Sequence, residues 1–164
     1  HPAAERWAEI VASSWEAGEK AAFLGRMEGQ ARESLREVAS AGLGRNLCLE
    51  NGEGMAFRVV ADLARGIGGG LCLDVGHALR NGEDPVALAR AHWDQIGVIH
   101  LHDVIEEPGH LRDHQPLGHG LAPVRELIEL LRGRHWDGAL ILELTRRDDL
   151  FASVGWLQGQ GLWP

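Results

Sequence analysis

Two short stretches, LCLENG at residues 47–52 and LCLDVGH at 71–77, follow the same pattern. Each is an apolar run of leucine and cysteine that ends on a carboxylate, Glu50 in the first and Asp74 in the second. Short apolar runs of this kind, bounded by glycine and polar residues, are typical of buried β-strands. A buried carboxylate is costly unless it is paired or bound to a metal ion, so the repeated ending indicates a functional site at the ends of two strands.

Strands and helices alternate along the chain. Apolar spacing, helix caps and glycine stops predict helices at 3–18, 19–41, 55–65, 86–95, 123–132 and 148–157. Short apolar runs predict strands at 46–50, 71–75, 98–101 and 139–144. Strands that are separated by one helix each form a parallel sheet through right-handed crossovers. The sequence therefore predicts an α/β fold with a parallel sheet.

Each predicted strand carries an ionisable residue at or near its C-terminal end. These residues are Glu50, Asp74, His100 and Glu143. In parallel α/β sheets this edge is where ligands bind, so the four side chains are expected to meet there. Three carboxylates and an imidazole suit Mn²⁺, Mg²⁺, Co²⁺, Fe²⁺ or Zn²⁺, and the sequence does not choose among these ions. His77, three residues after Asp74, is expected at the same edge.

Composition limits the class of protein. The 164 residues are expected to form a single domain over 1–164. A net charge of −8 with one lysine gives no basic stripe for phosphates, so nucleic-acid binding is not expected. No apolar run approaches the ~20 residues of a membrane span, and no signal peptide is visible. Two cysteines make no disulfide framework, which favours the cytoplasm.

Five motifs in order resemble a known family. They are LCLENG, LCLDVGH, VIHLHD, DHQPLGHG and LILEL, which span 47–144. Together they resemble the second half of the xylose isomerase-like TIM barrels, a superfamily of sugar and sugar-phosphate isomerases and epimerases that also contains endonuclease IV. Three of the runs are also similar to cobamide-remodelling phosphodiesterases. His1-Pro2 is similar to the end of an earlier barrel strand in this superfamily.

The resemblance implies a (β/α)₈ barrel of which this chain holds about the last four βα units. It also implies that the four strand-end residues bind a divalent metal, with His77 and His114 beside them. A half-barrel alone would leave two unpaired parallel edges, so a chain of this length is expected to form a homodimer if it is complete.

Two reactions fit such a metal. In an isomerase or epimerase acting on a sugar or sugar phosphate, the cation would hold adjacent oxygens and stabilise an enediolate, while Glu50 or Glu143 moves a proton between carbons. In a phosphodiesterase acting on a small phosphodiester, His77 and His114 would complete a metal cluster that activates water. An alternative from another class is a flavodoxin-like, doubly wound interaction domain.

The repeated stretches also predict a layer of cysteines. Because side chains alternate along a strand, Cys48 is expected on the face of Glu50, and Cys72 on the face of Asp74. If the two strands pair in matching register, the thiols would lie side by side beneath the metal, packed and not bonded.

Overall fold

The computed structural model describes residues 17–163 of the chain. The helices are α1 Ala17–Ser40, α2 Phe57–Ile67, α3 Val75–Arg80, α4 Pro85–Ala91, α5 Val124–Gly133 and α6 Arg147–Gly159, with a 3₁₀ turn at Gly44–Asn46. The strands are β1 Cys48–Glu50, β2 Gly70–Asp74, β3 Ile96–Leu101, β4 Asp103–Glu107, β5 His110–Gln115 and β6 Ala139–Leu142. Among these helices, none is both long and apolar enough to cross a membrane.

Four strands form one parallel sheet in the order β1-β2-β3-β6. The order follows the chain without reversal, whereas a doubly wound sheet reverses at a switch point. Right-handed crossovers between such strands place the connecting helices on one face of the sheet, as in a (β/α)₈ barrel. The structure thus confirms the predicted parallel α/β fold with four strands of a barrel, and it does not support the flavodoxin-like arrangement.

The hydrophobic core lies between the sheet and its helices. Phe57 of α2, Leu73 of β2, Ile99 of β3 and Leu127 of α5 are fully buried in one apolar cluster. Because side chains alternate along a strand, the sequence neighbours of Leu73 and Ile99 point to the opposite face. This alternation fixes the face on which the charged strand ends lie.

Most predicted boundaries agree with the structure to within two or three residues. The strand predicted at 71–75 ends at Asp74, because the Asp74 carboxylate accepts the N–H of His77 and caps α3. The helix predicted at 86–95 ends earlier, at Ala91, and Asp84 caps its first turn. His1-Pro2 and the helix predicted at 3–18 lie outside the described residues, apart from the last two positions of that helix, which begin α1.

The antiparallel hairpin of β4 and β5 was not predicted. Its strands consist mainly of charged and polar residues, so they lack the apolar alternation by which a half-buried strand is recognised. The one local signal is Pro108-Gly109 at the turn, where Gly109 has a φ of 86°. The hairpin directly follows β3 and carries His114 near its end.

The predicted side-by-side packing of the two cysteines is wrong. Strands β1 and β2 pair with a shift of two residues, so that Cys48 lies opposite Gly70 and Glu50 lies opposite Cys72. Both thiols are free, Cys48 is exposed and Cys72 is buried. The register of parallel strands is decided by packing across the whole sheet and cannot be read from two similar local sequences.

Candidate functional site

The four predicted strand-end residues come together at one edge of the sheet. Glu50, Asp74 and His100 lie at or near the ends of β1, β2 and β3, and Glu143 directly follows β6. One potential ligand atom from each lies within 4.8 Å of all the others. Parallel strands produce this convergence because their carboxyl ends share one edge. The roles of these residues remain predictions.

His100 Nδ1 lies at the centre of this cluster. It is 2.9 Å from Glu143 Oε2, 3.4 Å from Glu50 Oε1 and 3.9 Å from Asp74 Oδ2. In the part of the chain that the structure describes, His100 Nδ1 and Glu143 Oε2 are the buried side-chain atoms without a hydrogen-bond partner. Their separation is short, but their orientation makes no hydrogen bond, so both atoms are free to coordinate a cation. These residues fit a divalent metal.

Asp74 differs from the two glutamates in burial. Its side chain is 0% exposed, whereas those of Glu50 and Glu143 are 39% and 40% exposed. Burial alone would raise the pKa of Asp74, but hydrogen bonds from the His102 ring and the His77 backbone N–H hold it below its usual value. Asp74 is therefore a carboxylate anion fixed in place, and the two glutamates are the more accessible groups.

His77 lies beside the cluster. Its Nδ1 is 3.6 Å from Glu50 Oε1 and 3.7 Å from Asp74 Oδ1. The same nitrogen is 2.9 Å from the backbone carbonyl of Asn51. A carbonyl can only accept, so Nδ1 carries the proton and Nε2 is left as the basic nitrogen.

His114 reaches the site from the hairpin. Its Nδ1 is 3.1 Å from Asp113 Oδ1, and its Nε2 is 3.9 Å from Glu143 Oε1. Asp113 is paired with Arg80 at 2.6 Å. Burial opposes ionisation of Asp113, but the hydrogen bonds from Arg80 and His114 outweigh it and lower its pKa to about 2. Arg80 also contacts Glu53 at 2.8 Å, so it ties the hairpin to the loop that follows β1.

His102 is a site residue that the sequence reasoning missed. Its Nε2 is 3.2 Å from both Asp74 oxygens, and its ring stacks on His114 at 4.2 Å. The backbone N–H of His114 donates to its Nδ1 at 2.8 Å, so Nε2 carries the proton and donates to Asp74. Its ring lies against Gly76, where a Cβ atom would overlap it. The signal was available, because His102 lies two residues after His100 and alternation places it on the same side.

Asp103 was also missed, and it shapes the loop behind the site. Its buried carboxylate accepts hydrogen bonds from five backbone N–H groups at 2.8–3.1 Å, namely those of Val104, Gly118, His119, Gly120 and Ala122. The loop can approach Asp103 this closely because it has glycine at two positions. A Cβ atom would overlap Trp156 at Gly118 and the Asp103 carboxylate at Gly120. Asp103 is thus an internal anchor for the loop.

Comparison with known proteins agrees with this architecture. A family model for the xylose isomerase-like TIM barrel matches residues 9–160. The inosose isomerase of Halalkalibacterium halodurans is 29% identical over 113 residues, which are 67% of this chain and 40% of that protein.

Two solved structures share the fold. A D-tagatose 3-epimerase-like protein has a TM-score of 0.62 at 19% identity, over 78% of this chain and 52% of that chain. The IOLI protein with a zinc atom has a TM-score of 0.57 at 19% identity, over 82% of this chain and 54% of that chain. The chain therefore spans about half the length of these proteins.

The parallel sheet and its edge of carboxylates and imidazoles define part of a (β/α)₈ barrel with a candidate metal site. The chain belongs to the xylose isomerase-like TIM barrel family.

Proposed function

We propose that this chain belongs to a divalent-metal-dependent isomerase or epimerase that acts on a small sugar or sugar phosphate. The observation that carries the proposal is the group of three carboxylates around His100 Nδ1, with two buried atoms that lack hydrogen-bond partners within residues 17–163. The similarity to an inosose isomerase supports the same class of reaction.

Glu50, Asp74, His100 and Glu143 would hold the metal. The ion would be one of Mn²⁺, Zn²⁺, Mg²⁺, Co²⁺ or Fe²⁺, since all accept this mixture of oxygen and imidazole ligands. When bound, a divalent cation supplies a Lewis acid that polarises the carbonyl and hydroxyl oxygens of a sugar. Asp74 is suited to hold the metal without taking part in proton transfer, because hydrogen bonds already fix the orientation of its carboxylate.

Proton transfer would fall to the accessible groups. Glu50 and Glu143 extend from the two edge strands of the described sheet, so they approach a bound substrate from different sides. Glu143 turns Oε2 to His100 and leaves Oε1 to accept a proton from a substrate carbon. His77, protonated on Nδ1, would accept a hydrogen bond from a substrate hydroxyl at Nε2.

A phosphodiesterase of the endonuclease-like type is the second candidate. One observation favours it, since potential ligand atoms of His102, His114 and Glu143 also lie within 4.8 Å of one another, as a second metal would require. However, both ring nitrogens of His102 are already engaged, with Asp74 and with the His114 N–H. A second metal would have to break one of these hydrogen bonds, so we place the isomerase first.

The two edge strands of the sheet could pair with a second copy of the chain. Within the described range, β1 and β6 each pair with one neighbour only. For these 164 residues on their own, we propose that a second copy pairs with these edges, β6 of one protomer beside β1 of its partner, which would give eight parallel strands. Sedimentation of the 164-residue chain should then show a dimer, and a stable monomer would contradict this arrangement.

The reaction class can be tested in deuterated water. Elemental analysis should find about one divalent metal ion per site. During turnover, a carbon-bound proton of the ketose, inosose or sugar phosphate should be exchanged for deuterium from the solvent. Glu143→Gln should lower the rate at least ~100-fold, because it removes the proton acceptor. The exposed Glu129→Gln on α5 is the matched control and should keep the rate. Hydrolysis of small phosphodiesters without deuterium incorporation would establish the second candidate instead.

A further inference from the structure

Asn51, the residue after Glu50, makes an unusual pair of hydrogen bonds. Its side chain is fully buried. Its Oδ1 accepts the backbone N–H of Asp74 at 2.7 Å, and its Nδ2 donates to the backbone carbonyl of Asp74 at 3.0 Å. Both polar groups of one side chain therefore bond to one residue of the neighbouring strand.

These bonds extend the pairing of β1 with β2 beyond its last backbone pair. The ladder ends with Glu50 opposite Cys72, two residues before Asp74. The Asn51 amide then takes the place that a further strand residue would occupy, with one donor and one acceptor as in a peptide group. It thereby fixes the distance between the backbones that carry the Glu50 and Asp74 carboxylates.

The backbone of Asn51 extends the same network to His77. The Asn51 carbonyl accepts from His77 Nδ1 at 2.9 Å, and the His77 N–H donates to Asp74 Oδ1 at 2.6 Å. Asn51, Asp74 and His77 therefore form a closed ring of hydrogen bonds. A shift of any one of them would displace the other two.

We infer that Asn51 is a positioning residue of the site, which holds Glu50, Asp74 and His77 in the arrangement that binds the metal. This inference rests on the proposed metal-dependent function. The amide is specifically required, because only it offers a donor and an acceptor to the Asp74 peptide groups. Aspartate has the same shape but, as an anion, only accepts.

The test compares two identical substitutions in the full chain, Asn51→Asp and Asn81→Asp. The Asn81 side chain also bonds to backbone, accepting from the Gly54 N–H and donating to the Gly52 and Met55 carbonyls, but it makes no hydrogen bond to a candidate ligand. Calorimetric titration with Co²⁺ should show an affinity roughly 10- to 100-fold lower for Asn51→Asp, as for other partners of metal ligands. The visible absorption of bound Co²⁺ should change as well. Asn81→Asp should keep both the affinity and the spectrum.

A second measurement needs neither a metal nor a variant. Long-range ¹H–¹⁵N spectra of the unsubstituted apoprotein should show His77 protonated on Nδ1, and the Asn51 side-chain amide should exchange slowly with solvent. A His77 protonated on Nε2, or a fast-exchanging amide, would overturn the inference even if Asn51→Asp did not fold. Equal Co²⁺ affinity in the unsubstituted chain and Asn51→Asp would overturn it as well. A chain that binds no divalent metal at all would instead remove the proposed function, and this inference with it.

Discussion

Asp74 and Asp103 are two buried carboxylates, and they differ in what surrounds them. Asp74 is the last residue of β2, and Asp103 is the first residue of β4, two positions after the end of β3. The two residues are 0% and 1% exposed. Asp103 accepts five backbone N–H groups. Asp74 accepts one backbone N–H, from His77, and the ring N–H of His102. One carboxylate is surrounded by peptide groups and the other by ionisable side chains.

The comparison distinguishes a carboxylate that holds a loop in place, Asp103, from one that can bind a metal ion, Asp74. A carboxylate has about four lone-pair positions, so five N–H donors leave Asp103 no capacity to bind a cation. Asp74 keeps capacity, and it lies within 4.8 Å of three other potential ligands. Burial and charge alone do not distinguish the two residues, whereas the identity of their hydrogen-bond donors does.

The largest effect on stability is expected for Asp103→Asn. The substitution turns an amide N–H₂ group towards backbone N–H groups that need an acceptor, so several of these five donors lose their partner. We expect the free energy of unfolding to fall by about 3 kcal/mol or more. Urea unfolding of the full chain measures this change, with Asp62→Asn as the control, since Asp62 pairs with Arg65 at the exposed surface. A loss below about 1 kcal/mol would show that Asp103 is not an anchor.

Asp74→Ala should have its main effect on the metal. We expect at least ~100-fold weaker binding of Co²⁺ or Zn²⁺ with the fold retained, because a ligand is lost. The lost cap of α3 should cost about 1 kcal/mol of stability. The buried His102 Nε2–H, left without its acceptor, should cost at least about 1 kcal/mol more. Asp84→Ala is the control for the lost cap, since Asp84 caps α4 away from the site. It should lower stability by about 1 kcal/mol and leave metal affinity unchanged. Stoichiometric metal in the Asp74 variant would argue against its assignment as a ligand.

The smallest effect is expected for the cysteines. Cys72 is buried, and burial together with the nearby Glu50 raises its pKa to about 12, so its thiol stays protonated. Replacing both Cys48 and Cys72 by alanine should lower stability by about 1 kcal/mol, mostly through Cys72, and should leave metal affinity within a factor of about two. A large loss of metal with the fold intact would show that Cys72, which lies within 4.8 Å of Glu50 and His100, belongs to the site.

The sequence predicted the strands and the ionisable residues at their ends, but not the residues that support these side chains through hydrogen bonds. The strand ends at Glu50, Asp74, His100 and Glu143 follow from apolar runs that stop at a charged residue, which is a local pattern. Asn51, His102 and Asp103 act through partners that lie 12 to 28 residues away in the chain. Alternation could have placed His102 on the same side as His100. No local pattern records the partners of these three residues, however, so the roles of the three could not be predicted.

By itself, the sequence determined the alternation of helices and strands and the order of the residues at the strand ends. These features depend on the period of apolar residues and on helix caps, which act over a few neighbouring positions. Only the tertiary structure decided the two-residue shift between β1 and β2, the position of the polar hairpin, and the hydrogen bonds that separate Asp74 from Asp103. The physical reason is that register and hydrogen-bond partners depend on how whole elements pack, since each buried polar group must find a partner across the fold.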